Sequence, residues 1–492
     1  MISLKPLSQY KKTGTFTIVL LGEKAPQASL PIGLRDTIQV LDLKPSKVET
    51  LKTIVADSLF TTLYARLPEK LGYDALEELT ADLLKQLKES KAKKVDILLL
   101  DSIIKDLTIS FYKQLQLAGD SFEHYQSSGI DPIELNKEDK PKETFDPAFT
   151  IFLPKGLPQQ AEENKLQKAA HLAEGIRTAR RLVNEPANVL TPDHLAHEAR
   201  ALSKQHGFDI EVYDEQQIQD MGLQAFWSVA KGSDAPPRFL VMRYMKNSDT
   251  KEVLALVGKG LTYDSGGYAI KPAEGMATMF CDMGGAAAVI GAISTLAAMK
   301  AKVNVVAIVA ACENMISGHA YHNGDIIGSL AGKFIEVVNT DAEGRLTLAD
   351  AITYAATVVK ADKIIDIATL TGAVGVALGR EITGVVADDE TIFSALTRAS
   401  EQSGDKIWRL PHYEHLAKHN KSERADIKNS GGRPAGTATA ALFCRAFAFG
   451  KPWGHLDIAG TAYQDKSSAK APAGATGVGA ELLALTAVEL FK

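Results

Sequence analysis

Two stretches of this 492-residue chain crowd chemistry-bearing side chains together. In Asn339-Thr340-Asp341-Ala342-Glu343-Gly344-Arg345, two carboxylates and a guanidinium fall within a few positions. Asp341 and Glu343 are two apart, so in an extended loop they point the same way and repel unless a cation lies between them. The same residues also read as an Asx-turn entering an acidic helix N-terminus, which needs no metal. On this stretch alone both readings stand.

The second stretch runs Gly258-Lys259-Gly260-Leu261-Thr262-Tyr263-Asp264-Ser265-Gly266-Gly267, followed by Lys271-Pro272 and by Met279-Phe280-Cys281-Asp282-Met283-Gly284-Gly285. Its glycines permit tight turns and close backbone approach. Asp282 could merely cap a helix, and Lys259 and Lys271 could be solvated loop lysines. Carboxylates from several separate segments, interleaved with lysines and glycines, are harder to explain as unrelated turns. Together they could hold two hard or borderline divalent ions.

The surrounding pattern predicts what positions these groups. Apolar runs at 239–244, 253–257, 303–311, 363–370 and 455–458 read as strands. Helical stretches at 192–205, 284–299, 346–359, 391–403 and 478–490 alternate with them. Long apolar strands between helices argue for an α/β fold with a mostly parallel sheet covered on both faces, with ligands at the carboxyl ends of strands. The run 334–338 reads as a strand that would put the first stretch at such an end. Strands at 15–21 and 95–100 and a helix at 75–89 predict a small N-terminal α/β domain over 1–155. Residues 136–147 read as solvated linker and 159–184 as one long helix. The expected division is therefore an N-terminal domain serving packing and assembly, a linker helix over 156–185 and a catalytic domain over 186–492.

Composition is that of an ordinary globular protein: 45% hydrophobic, 23% charged, formal net charge −5. Nothing in that balance calls for nucleic acid or an anionic membrane. The apolar run 16–21 is too short for a signal-peptide core, and no run reads as long enough to span a bilayer. Three scattered cysteines make neither a disulfide framework nor a zinc-finger spacing, so a cytoplasmic setting is expected. Of His412, His415 and His419, the pair one helical turn apart, His415 and His419, has no Glu between them, so the zincin pattern is not met, and no serine nucleophile elbow occurs.

The motifs together resemble the leucyl aminopeptidases of the M17 metallopeptidase type. The block 339–346 matches that family's signature, as do Gly258-Lys259-Gly260, Asp264-Ser265-Gly266-Gly267, Lys271-Pro272 and Asp282-Met283-Gly284-Gly285-Ala286-Ala287. Weaker matches lie at Asn184-Glu185-Pro186, Ala368-Thr369-Leu370-Thr371-Gly372 and His455-Leu456-Asp457-Ile458-Ala459-Gly460. The resemblance runs from about Arg181 to the C-terminus.

It implies a two-metal aminopeptidase that removes leucine-like N-terminal residues from short peptides with a free N-terminus. One ion would be held by Asp264, Asp341 and Glu343. The other would be held by Lys259, Asp264, Asp282 and Glu343. Manganese or zinc is implied, with magnesium or cobalt possible. Lys259 must be neutral to ligate, so its pKa is expected to be pushed down. Lys271 would stabilise the oxyanion, and Arg345 would hold a bicarbonate serving as general base. Met279, Asn339, Thr369, Leu370, Gly372 and Ala459 would contact substrate. A homo-hexamer, a dimer of trimers, is implied as well.

Two positions depart from the family pattern: Phe280 stands where lysine is usual, and Tyr263 where phenylalanine is usual. Two other classes compete with this reading: a scaffold that keeps the fold without activity, and a two-metal phosphatase.

Overall fold

The computed structural model describes the chain except residues 11–15, 22–47, 56–57, 68–70, 100–106, 121, 123–124, 126–144 and 469–470. Most of the stretch read as linker, 136–147, therefore lies outside the described residues. The chain divides into two compact units, Met1–Ala173 and Glu174–Lys492. The division falls within the helix Gln159–Asn184, whose bounds match the apolar periodicity.

The first unit holds a six-stranded sheet. Phe16–Leu21 runs parallel to both Ser58–Arg66 and Lys94–Leu99. Helix Tyr73–Glu89 buries Leu76, Leu79, Leu83 and Leu87, spaced three to four residues apart as one helix face requires. The core of this unit contains Ile18, Leu63, Ile97 and Phe111.

The second unit is built on an eight-stranded sheet. Its spatial order is Lys406–Arg409, Ile382–Ala387, Trp453–Asp457, Lys363–Ala368, Leu254–Asp264, Asn304–Asn314, Arg238–Met245 and Asp209–Tyr213. The four middle strands, from Trp453–Asp457 to Asn304–Asn314, run parallel. Antiparallel pairings lie to either side. Burial of the middle strands on both faces explains their near-continuous apolar sequence.

Strand Leu254–Asp264 is longer than the expected 253–257 and passes straight through Gly258-Lys259-Gly260. Those glycines are close-approach residues rather than turn formers. A Cβ on Gly258 would lie 2.5 Å from the Gly285 carbonyl oxygen, and one on Gly285 would lie 2.1 Å from that of Ile367. Helix Gly284–Ala298 thus presses backbone to backbone onto the sheet, which its small residues allow.

With the 3-10 turn before it, this helix forms a run, Met279–Ala298, long and apolar enough to cross a membrane. That corrects the expectation that no such run exists. Burial inside the fold of 89% of the qualifying window accounts for its apolarity.

The strand expected at 334–338 is also revised. Only Ile335–Glu336 is extended, in a small separate sheet with Ile326–Ile327 and Ile427–Lys428. Phe334 and Val338 are exposed and lie outside the pairing.

Candidate metal and peptidase site

The site gathers at the carboxyl ends of the four parallel strands. Lys259 lies within Leu254–Asp264, and Asp264 is that strand's last residue. Five positions apart, they should face opposite ways. The register against Asn304–Asn314 slips by one residue, with Leu261 opposite Cys312 but Tyr263 opposite Glu313. The extra residue, Thr262, reverses the alternation and brings Asp264 to the side of Lys259.

Asp282 comes from the 3-10 turn Met279–Met283 ahead of the glycine-packed helix. Asp341 and Glu343 come from the turn that enters helix Gly344–Thr357, not from a strand of the main sheet. Asn339 accepts from the Asp341 N–H at 3.0 Å, so the Asx-turn is present as well as the carboxylate cluster. Glu343 is in helical rather than extended conformation (φ −74°, ψ −38°).

Asp264, Asp341 and Glu343 each offer an oxygen, and these oxygens lie within 4.8 Å of one another. The Lys259 ammonium stands 2.7 Å from Asp282 and 2.8 Å from Glu343, and donates to the Thr369 carbonyl at 3.1 Å. The Lys271 ammonium stands 2.7 Å from Asp264 and 2.5 Å from Asp341. Four carboxylates therefore face two ammonium groups, an excess of two negative charges when all are ionised. Asp264, Asp282 and Glu343 are buried, and Glu343 Oε2 has no hydrogen-bond partner among the described residues. Buried acceptors in excess of donors suit cations with oxygen ligands.

Burial, reinforced by the Asp264 charge, pushes Asp282 up to about 6 and Glu343 up to about 7. For Lys259 the metal-ligand reading expects a lowered pKa. Burial does act that way, but Asp282, Glu343 and Asp264 outweigh it and hold the pKa above the ordinary lysine value. Lys271 is raised for the same reason, against its own burial.

Arg345 is buried in the first turn of its helix. Nη1 donates to the Asn429 carbonyl at 2.8 Å, Nε has no partner, and no carboxylate pairs with it among the described residues. A buried guanidinium so placed suits a planar oxyanion.

One open cavity of about 1100 Å³ joins these groups, and every site residue singled out in the sequence lies on its wall. Met279, Leu370, Gly372 and Ala459 line it, as does Thr369, whose hydroxyl donates to the Asp282 carboxylate at 2.7 Å, and Asn339 lies on the wall beside Asp341. Cys281 also borders it; burial, with Asp282 beside it, pushes its thiol up to about 12, where it is a poor nucleophile. Phe280 packs edge-on against Tyr463, ring centroids 5.7 Å apart. His412, His415 and His419 are exposed and stand outside the carboxylate group.

Sequence reasoning missed Asn429. Its side chain accepts from the N–H groups of Val338 and Asn339 and donates to the carbonyls of Asn339 and Ala342. It thereby fastens the turn that carries Asp341. It also missed Asn314, which donates to Asp264 at 2.8 Å and to the Thr340 carbonyl at 3.0 Å. No local pattern marks either residue, because each partner lies far away in sequence.

Residues 177–484 match the model of the cytosol aminopeptidase family, catalytic domain. The chain belongs to this family. Membership implies a metal-dependent aminopeptidase. The chain is 40% identical to a probable cytosol aminopeptidase of Treponema denticola, over 92% of this chain and 93% of that one. It is 53% identical to one of Clostridium perfringens, over 65% of each. Among solved structures it is similar to the bottromycin maturation enzyme BotP in complex with Mn. The TM-score is 0.82 at 28% identity, covering 98% of this chain and 100% of that one.

Proposed function

We propose that this chain is a two-metal aminopeptidase that removes leucine-like N-terminal residues from short peptides with a free amine. One observation carries the reading. Four carboxylates, two lysines and a buried guanidinium share one cavity wall at the ends of parallel strands, in a chain of the cytosol aminopeptidase family.

Asp264, Asp341 and Glu343 would hold one divalent ion; Lys259, Asp264, Asp282 and Glu343 would hold the other. When bound, two such ions supply Lewis acidity toward the scissile carbonyl and activation of a water near neutral pH. The charge they bring would also offset the carboxylate field that now keeps Lys259 protonated. BotP binds Mn, which makes manganese a reasonable occupant here, with zinc, magnesium and cobalt as alternatives.

Lys271 reaches in from the loop after Asp264, and its ammonium donates to negative charge developing on the carbonyl oxygen. Arg345, with its free Nε, would retain bicarbonate. Met279, Thr369, Gly372 and Ala459 shape the subsite for the first side chain, and Leu370 and Asn339 border the peptide backbone. Cytoplasmic location and a hexamer that screens out folded substrates complete the proposal.

The test is hydrolysis of leucine anilide beside its N-acetylated form and an aryl phosphate. Turnover of the free-amine substrate alone supports the reading. Turnover of the phosphate would favour a two-metal phosphatase, and none at all a scaffold.

A further inference from the structure

Asp457 ends strand Trp453–Asp457, is fully buried, and ligates nothing in the scheme above. Its carboxylate spans two segments of the cavity wall. Oδ1 accepts from the N–H groups of Leu370 at 3.2 Å, Thr371 at 3.4 Å and Ala459 at 3.2 Å. Oδ2 accepts from the Thr371 hydroxyl at 2.6 Å. That hydroxyl in turn accepts from the Val374 N–H, capping helix Gly372–Leu378, and lies 2.9 Å from the Thr437 hydroxyl.

We propose that Asp457 is the positioning residue of the subsite for the first side chain. It locks 369–372 and Ala459 into one wall and so sets the preference for leucine-like residues. This rests on the aminopeptidase reading of the cavity. A carboxylate is suited to the task because it accepts several bonds at once from both segments. An amide in its place has one acceptor oxygen and no charge, so the Thr371 hydroxyl must reverse from donor to acceptor and the bonds that join the two segments weaken.

Asp457→Asn and Thr371→Val test this, with Thr371→Ser as the conservative rescue. Both disruptive variants are expected to raise KM for leucine anilide while kcat stays within about threefold. They should also cut the leucine-over-alanine preference about tenfold, the scale on which apolar pockets discriminate. Bound metal per chain should not change. Thr371→Ser, which keeps the hydroxyl, should restore the preference. Hydrogen exchange gives a readout independent of turnover: the amides of Leu370, Thr371 and Ala459 should lose protection in Asp457→Asn.

An unchanged preference in a folded Asp457→Asn overturns the proposal, as does unchanged protection of those amides. Should Asp457→Asn fail to fold, Thr371→Val decides by the same ratio. A wild type with no peptidase turnover removes the specificity claim together with the reading beneath it, while amide exchange still decides whether Asp457 holds the wall.

Discussion

Gly344→Ala offers a demanding test of the site's packing. Gly344 opens helix Gly344–Thr357, where alanine should be the better residue by up to about 1 kcal/mol. The space around it reverses that expectation. A Cβ there would lie 2.4 Å from Lys259 Cε, 2.7 Å from Cδ and 2.7 Å from Nζ. Carbon atoms in contact prefer about 3.5 Å, so the lysine end must retreat by roughly 1 Å. It is pinned 2.7 Å from Asp282 and 2.8 Å from Glu343. A retreat of that size takes both contacts out of hydrogen-bond range, and charged bonds of this kind contribute about 1.5–3 kcal/mol each. The expected net effect is a loss on the order of 3 kcal/mol, after the helix gain is set against it. Urea unfolding measures it, and calorimetric manganese titration should show weaker binding. Stability within about 0.5 kcal/mol of wild type, with unchanged manganese affinity, would refute the claim that Lys259 is held in this one place.

Further outcomes follow from the same geometry. Asp341→Ala and Lys271→Ala should each abolish most turnover, but only Asp341→Ala should lower the metal content measured by atomic emission; equal metal loss would contradict the role given to Lys271. Asn429→Ala should cost about 2–4 kcal/mol, because it leaves the buried groups of the 338–342 turn unpaired, and it should weaken metal binding without removing a ligand. Asp350 accepts from Phe226 and Leu330 N–H groups, yet burial raises it to about 7. The folded chain therefore keeps a proton that the unfolded chain releases near pH ~4. The stability from this group is fully present below about pH 4 and is lost as pH rises through about 7. Relative to Asp350→Asn, wild type should lose about 2–3 kcal/mol between roughly pH 5 and 7.5 in urea titrations; parallel pH profiles would contradict the burial effect.

Much of the sheet was legible because burial imposes composition. Strand Asn304–Asn314 is apolar between its polar ends, helix Gly284–Ala298 is apolar but for Ser294 and Thr295, and Gln159–Asn184 shows its helical period along its length. The glycines were read as permitting tight turns and close backbone approach, and at Gly258 and Gly260 it is the close approach that applies: both lie within a strand, Gly258 against the helix residue Gly285, 27 residues on, and Gly260 against the neighbouring strand at Ala310. The strand edges at 334–338 were overread because Phe334 and Val338 are apolar but exposed.

Within the site, carboxylates and lysines were legible by type and order. The register slip at Thr262 that turns Asp264 toward Lys259 was not, since it depends on the neighbouring strand. Asn429 and Asp457 were equally hidden from view as supports. Their work is hydrogen bonding to backbone some 90 residues away, which leaves no periodic trace.

The two-metal reading is tested most directly by titrating manganese into chelated protein while following bound metal per chain and leucine anilide turnover in the same sample. The expected result is two ions per chain, with turnover absent before addition and rising as they load. Full turnover in the presence of chelator, or no turnover with both ions bound and the chain folded, would contradict it.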